Sequence, residues 1–110
     1  FMDIAPATTG HTLVIPKQHY RNIFDMPPEI GGKIMQAAIP IANAIRTALN
    51  SDGLNLFQSN EAAAFQTVFH FHLHLIPRWK SDPLRKQYWQ PSEGDMDEIG
   101  DIAAKIRDAL

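Results

Sequence analysis

The segment FHFHLHLI, residues 69–76, constrains the fold of this chain more than any other stretch. Three of the five histidines stand here at every second position, with Phe or Leu between them. Because successive side chains of a strand point to opposite faces, the alternation predicts a β-strand over residues 67–77. One face would be apolar and packed against the core, and it consists of Phe69, Phe71, Leu73 and Leu75. The other face would carry His70, His72 and His74 as a row of imidazoles, with about 6.6 Å between neighbours.

A row of imidazoles on one strand face suits two kinds of chemistry. Imidazole is the commonest metal ligand in proteins, and three nitrogens at this spacing can hold zinc or another divalent ion. Neutral imidazole is also a nucleophile that attacks phosphorus or an acyl carbon and forms a covalent intermediate. The flanks supply only Phe, Leu and Ile, without a carboxylate. The segment by itself leaves both chemistries open.

The rest of the chain predicts a mixed fold. Residues 11–16 and 54–59 read as short strands, and the second is placed for an antiparallel hairpin with the histidine strand. Apolar spacings of three and four predict a long amphipathic helix over residues 28–50, in which Pro40 should cause a bend or divide the helix in two. The predicted apolar face of this helix comprises Ile30, Ile34, Ala37, Ile41, Ile45 and Leu49.

The end of the chain predicts a second helix. Asp95 is placed as its N-cap and Glu98 as the reciprocal partner, and its apolar residues are Met96, Ile99, Ile102 and Ile106. The polar stretch before it, residues 78–94, reads as an extended loop. Since strands and helices do not alternate regularly, we predict an α+β fold in one domain, residues 1–110.

The composition excludes several classes of protein. A formal charge of −2 with scattered Lys and Arg offers no basic face for a nucleic acid polymer. No stretch approaches the roughly 18 to 20 apolar residues that a bilayer span requires. These residues include no cysteine, and therefore no disulfide or thiolate metal site. We expect a cytoplasmic protein, and because residues 1–11 read as the end of a strand already under way, we also expect a missing N-terminal segment.

Three separated motifs resemble those of one known family. HFHLHLI, residues 70–76, is similar to the His-φ-His-φ-His-φ-φ motif, with φ apolar, that names the histidine triad (HIT) superfamily of nucleotidyl hydrolases and transferases. SNEAAAFQTVFH, residues 59–70, resembles the turn that leads into that motif. MDIAPATTGHTLVIPKQH, residues 2–19, resembles the corresponding motif of Hint-like bacterial members. The resemblance covers most of residues 2–78 and implies a HIT-like fold, an antiparallel sheet with a long helix and a C-terminal helix.

The resemblance also implies a role for each matching residue. His72 is the implied nucleophile, which attacks the α-phosphorus and carries the nucleotidyl group. His74 is implied to bind the phosphate or the leaving-group side, His70 to support the site, and His11 to lie close behind it. The implied nucleotide-binding residues are Asp3 for the ribose, Ile4 beside the base, and Asn60, Gln66 and Thr67 around the α-phosphate.

The chain departs from the family pattern in two ways: it lacks the cysteines of a zinc site, and it has Phe at position 65. Metal-containing bacterial members hold a structural zinc through two cysteines and two histidines, and the histidines correspond here to His19 and His70. That site is either incomplete in this chain or begins in an absent upstream segment. We therefore expect no required cofactor, and a structural zinc on His19 and His70 only if upstream cysteines exist. Phe65 stands where the family has Gly, and we expect it to distort the phosphate loop or to fill part of the pocket.

The predicted function follows from the resemblance. We expect a nucleotide hydrolase or transferase that cleaves at the α-phosphate of a purine nucleoside phosphoramidate or a related adenosine-phosphate compound through a nucleotidyl-histidine intermediate. The enzyme would be phosphoramidase-like or dinucleoside polyphosphate hydrolase-like, and a homodimer as family members are. Two alternatives stay open: a nucleotide-binding regulatory module with little turnover, and a metal-binding module that uses the HxHxH row.

Overall fold

The computed structural model of the chain describes residues 1–85, 89 and 91–110. Three strands, β1 (Thr12–Val14), β2 (Gly53–Phe57) and β3 (Leu73–Arg78), form one antiparallel sheet in the order β1-β3-β2. Two helices accompany it, α1 (Pro28–Leu49) and α2 (Met96–Asp108). Short 3₁₀ turns occur at Ala62–Ala64 and Pro83–Arg85. The α+β prediction is confirmed. Part of the predicted loop over residues 78–94 lies outside the described residues.

The predicted hairpin between β2 and β3 is present, but the histidine strand is shorter than predicted. Leu56 pairs with Leu75 and Phe57 with His74, whereas residues 67–72 are not in a strand. The backbone groups there find partners outside a ladder: the Phe71 N–H donates to the Tyr20 carbonyl, and the His70 carbonyl accepts from the His72 ring. The prediction of a continuous strand over residues 67–77 is therefore wrong for its first half.

Strands β1 and β2 also differ in length from their predictions. β1 covers only Thr12–Val14, and β2 begins one residue earlier and ends two residues earlier than predicted. Ahead of β1, Met2 forms an isolated bridge with Thr12, and the Leu13 N–H donates to the Phe1 carbonyl. The first residues therefore run antiparallel beside β1.

Helix α1 is one continuous helix through Pro40, so the two-helix alternative is wrong. It starts with Pro28 after the extended Pro27, where a missing N–H costs nothing, and ends at Asn50 in the left-handed conformation that favours Asn or Gly. Pro40 cannot donate to the Gln36 carbonyl, but both residues are exposed, so water can satisfy that oxygen.

Helix α2 begins where the sequence predicts. The Asp95 side chain accepts hydrogen bonds from the Asp97 and Glu98 N–H groups, which confirms the N-cap. Met96 is exposed, so the buried face of α2 starts one turn later than predicted.

The core lies between the sheet and the two helices. Buried side chains of α1, β1, β3 and α2 form a single cluster of Val14, Ile34, Ala38, Ala44, Ile45, Phe71, Leu73, Leu75 and Ile106. Ala37 is exposed while Ala38 is buried, which rotates the apolar face of α1 from the predicted one. Phe69 is 40% exposed, and its predicted place in the core is wrong because its ring lies against the Arg21 guanidinium, 4.2 Å from the ring centroid. Across the described residues, no helix is both long and apolar enough to cross a membrane.

Gly10 should be the glycine on which the fold depends most. Its φ of +90° is unfavourable for other residues, and an added Cβ would overlap the Leu49 side chain. We expect Gly10→Ala to lower the free energy of unfolding by about 2 kcal/mol, measured by urea denaturation. Gly100→Ala is the matched control, because a Cβ there meets nothing within 4 Å inside a helix. It should raise stability by about 0.5 to 1 kcal/mol, and equal effects of the two changes would contradict this account.

Candidate active site

The three histidines of the motif separate into two places. His74 lies in β3, and the His72 ring is edge-on to it with 5.0 Å between ring centroids. The His70 ring instead lies beside His19, which is outside the motif. The predicted row of three imidazoles is therefore a pair plus one, because the His70 ring bonds to His19 and to the Pro16 carbonyl instead.

The His72 ring has an assigned proton position. Its Nδ1 lies 2.7 Å from the His70 carbonyl oxygen. A carbonyl can only accept, so Nδ1 carries the proton and donates. In neutral imidazole the other nitrogen, Nε2, then holds a free lone pair. This is the arrangement that a nucleophilic histidine requires.

The protons on His11 and His74 are assigned by a chain of hydrogen bonds. The Ala7 N–H donates to His11 Nδ1 over 3.0 Å, so His11 carries its proton on Nε2. That Nε2 lies 2.7 Å from His74 Nδ1 and donates to it. His74 therefore carries its proton on Nε2, which is left to face a ligand. His11 is in direct contact with the triad rather than merely near it.

Burial keeps this imidazole pair neutral. His11 is fully buried and His74 almost so. Burial, and then the neighbouring His11 and His72, lower the pKa of His74 to about 4, although the nearby Asp3 acts in the opposite direction. Burial also lowers the pKa of His11, and Asp3, whose Oδ2 is 3.5 Å from His11 Nε2, partly offsets this. Both rings are neutral at pH 7.

Two aromatic rings missed by the sequence analysis flank His74. Trp89 is edge-on to both His11 and His74, at 5.0 Å and 5.5 Å between ring centroids. Phe57, the Cα partner of His74 across the β2–β3 hairpin, lies 5.6 Å from it. Trp89 stands in a stretch without periodicity, so no local signal could have placed it. The hairpin register would have placed Phe57.

The predicted phosphate-binding amides are engaged within the protein. The Gln66 Oε1 accepts from the Glu61 N–H and Asn22 Nδ2, and its Nε2 donates to the carbonyls of Arg21 and Val68. The Asn60 amide bonds to Gln58 and accepts from the backbone N–H of residue 23. Their roles toward a nucleotide stay a prediction; in this structure they hold the approach loop, residues 58–72, in place.

The remaining nucleotide-binding candidates are more accessible. Ile4 and Thr67 are exposed. The Asp3 Oδ1 accepts from the Ala5 N–H while Oδ2 faces His11, so the carboxylate is fixed on the His11 side of the site. Asp3 and His11 thus lie together with His74, whereas Asn60 and Gln66 form a separate cluster.

That cluster includes residues that sequence reasoning missed. Buried Asn22 donates to both Glu61 and Gln66, and the Arg21 guanidinium makes two hydrogen bonds to the Glu61 carboxylate. These contacts hold the pKa of Glu61 below its usual range. The sequence YRNIFD carries no pattern that would have indicated this anchor.

Phe65 keeps a glycine-like backbone. Its φ of 70° and ψ of 19° lie in the left-handed region, which glycine adopts readily and bulky residues seldom adopt. The ring is 84% exposed. The expected filling of a pocket is therefore wrong within the described residues, because the side chain points to solvent.

The described residues do not complete a metal site. His19 Nδ1 and His70 Nδ1 are 3.1 Å apart, but two nitrogens are half of a tetrahedral zinc set, and no third His, Cys, Asp or Glu of the described residues joins them. Asp3, His11 and His74 do converge. Their 2.7 Å nitrogen separation is that of a hydrogen bond, however, whereas two nitrogens on one zinc lie about 3.3 Å apart.

His74 should make stability depend on pH. Its pKa is about 4 in the folded protein and about 6.5 in the unfolded chain. Between these values the unfolded state binds more protons, so the free energy of unfolding falls as pH decreases from 6.5 to 4, by on the order of 2 kcal/mol. Urea denaturation across this range measures it, with His74→Asn as the comparison. An equally steep profile in that variant would refute the assignment.

Comparisons with known proteins identify the same family that the histidine motif resembles. The family model "HIT domain" matches residues 1–81. Adenosine 5'-monophosphoramidase HNT1 of Saccharomyces cerevisiae is 36% identical over 106 residues, covering 96% of this chain and 65% of that protein. Adenylylsulfatase HINT3 of Arabidopsis thaliana is 41% identical over 91 residues, covering 77% of this chain and 46% of that protein. This chain therefore spans less than two thirds of either relative.

The fold has a close counterpart among solved structures. The crystal structure of a Hit-like protein involved in cell-cycle regulation from Bartonella henselae superimposes with a TM-score of 0.89 at 40% identity, covering 100% of this chain and 78% of that one. The motif, the fold and the family match agree, and the chain belongs to the HIT family.

Proposed function

We propose that this protein hydrolyses a purine nucleoside phosphoramidate, or a related adenosine-phosphate compound, at the α-phosphate through a nucleotidyl intermediate on His72. The observation that carries the proposal is the hydrogen bond from His72 Nδ1 to the His70 carbonyl, which leaves Nε2 as a free lone pair. The relatives named for adenosine 5'-monophosphoramidase and adenylylsulfatase activity support an adenosine phosphate as substrate.

The reaction proceeds in two displacements. His72 Nε2 forms a bond to the α-phosphorus while the bond from phosphorus to the leaving group breaks. A water molecule then attacks the same phosphorus and releases His72 with the nucleoside monophosphate. In the first step the departing group takes a proton from solvent, and in the second step the attacking water gives a proton back to solvent, so the two steps balance and His72 is regenerated unchanged.

His74, held by His11, stabilises the negative charge that develops on the phosphoryl oxygens. His74 presents its Nε2–H because its Nδ1 is occupied by His11. A donor held in place before the reaction needs no reorganisation, which is the main source of electrostatic catalysis. Asp3, fixed beside His11, is positioned to accept from the ribose hydroxyls, and exposed Ile4 offers an apolar surface next to it for the base.

A regulatory module with little turnover would be favoured if the Phe65 side chain filled the nucleotide pocket. The left-handed backbone and the exposed ring of Phe65 leave the approach loop in a glycine-like conformation. This observation favours turnover over the binding-only alternative.

His72→Ala should lower turnover of adenosine 5'-phosphoramidate by at least about 10³-fold, because the covalent path is lost. Release of adenosine monophosphate measures it. Calorimetry with adenosine monophosphate and thermal unfolding should show retained binding and fold. Intact mass should reveal an adenylyl adduct on the wild type only. Wild-type turnover by His72→Ala would refute the mechanism, and background turnover by both proteins with normal binding would favour the regulatory module.

We also propose that the protein is a homodimer. Met35 and Ile39 are exposed apolar residues one turn apart on α1, and exposed Leu56 lies on the sheet face that α1 covers. β2 is at the edge of the sheet, where an unpaired strand favours association. A two-fold interface buries the same patch on both copies.

Ile39→Glu should shift the protein from dimer to monomer, because a charge would be buried at the interface. Light scattering on a size-exclusion column measures the mass. Ile23→Glu, at a similarly exposed isoleucine in the loop before α1, is the control and should leave the mass unchanged. A monomeric wild type would contradict the proposal.

A further inference from the structure

Phe57 is an exposed aromatic residue in direct contact with the site. It is the last residue of β2, and it stands opposite His74 in the hairpin. Directly opposite residues of an antiparallel pair project from the same face, and the two ring centroids are 5.6 Å apart. The Phe57 side chain remains 47% exposed. The neighbouring Leu56 projects from the opposite face.

The Phe57 ring lies beside His74, whose Nε2 carries the free N–H. His74 Nδ1 accepts a hydrogen bond from His11, so His74 can contact a ligand only through Nε2. Trp89 is edge-on to both imidazoles, at 5.0 Å from His11 and 5.5 Å from His74. In the proposed function, a group that leaves the α-phosphorus next to His74 would be within reach of the exposed Phe57 ring, which can bury apolar surface and offers no charge.

The charged side chain further along the same sheet face is already neutralised. Arg78 donates from Nε and Nη2 to the Asp82 carboxylate and from Nη1 to the Asn55 side chain. All three guanidinium nitrogens are engaged. A polyphosphate leaving group is stabilised by charge-assisted hydrogen bonds from a free cation. Here it would contact an uncharged aromatic ring instead.

We propose that Phe57 determines specificity for the leaving group, selecting a phosphoramidate whose amine carries an apolar or aromatic group over a dinucleoside polyphosphate. The inference rests on the proposed function and goes beyond it, because it names the chemical class of the departing group. Phe57 takes no part in bond making; it stabilises the departing group by apolar contact.

The experiment compares three substrates: adenosine 5'-phosphoramidate with a free amino group, its N-benzyl derivative and diadenosine triphosphate. Phe57→Ala should lower kcat/KM for the benzyl compound about tenfold, as expected for a lost apolar contact, and for the free amide less than twofold. Phe57→Leu should restore most of the difference. Phe24→Ala removes an exposed ring of the same size that makes no ring contact with His74 within the described residues, and it is the matched control.

A binding measurement separates this inference from the proposed function. In the His72→Ala background, calorimetry should show tighter binding of the benzyl compound than of the free amide, and adding Phe57→Ala should abolish the difference. Equal affinities for the two compounds, an equal effect of Phe57→Ala on both, or faster wild-type cleavage of diadenosine triphosphate than of the benzyl compound would overturn the inference. Absent wild-type turnover with intact benzyl preference would overturn only the proposed function.

Discussion

The site depends on one hydrogen bond between two buried imidazoles, His11 and His74, which are 63 positions apart in the chain. It joins the segment before β1 to the central strand, and with the Ala7 N–H it fixes the proton of each ring. Either nitrogen left without its partner would be a buried unsatisfied polar atom. The same contact therefore serves stability and fixes the chemistry that His74 can offer: it joins two distant segments and leaves Nε2 as the protonated nitrogen of His74.

Much of the architecture could be predicted because its signals are local. The apolar spacing and the Pro27-Pro28 start predict α1, Asn50 suits the left-handed end of that helix, and Asp95 caps α2. The strand boundaries could not be predicted in the same way. The alternation of residues 69–76 is a genuine strand pattern, yet its first half bonds to Tyr20 and to its own side chains. Hydrogen-bond partners outside the strand determine where β3 begins, and the alternation of residues 69–76 does not specify those partners.

The candidate site was likewise predictable only in part from the sequence. The motif resemblance predicts roles for His72 and His74, and the structure places their two rings side by side. The resemblance could not show that His70 belongs with His19, that His11 bonds directly to His74, or that Trp89 and Phe57 enclose the imidazole pair. Each of these contacts joins residues distant in sequence. Proton positions in particular follow from hydrogen-bond partners in space, and no residue pattern specifies them.

The hydrogen bonds of the Gln66 amide also determine which side chain is tolerated at position 66. Its Nε2 faces two carbonyl oxygens and its Oε1 faces two N–H donors, so the pocket distinguishes the two ends of the amide. A glutamate has nearly the same shape but would place a negative oxygen against the carbonyls of Arg21 and Val68. Chemical deamidation or a single-base codon change makes that replacement. The surroundings of residue 66 therefore favour a neutral amide over a carboxylate. Deamidation of Gln66 would weaken the contacts that hold the approach loop, which carries His70 and His72.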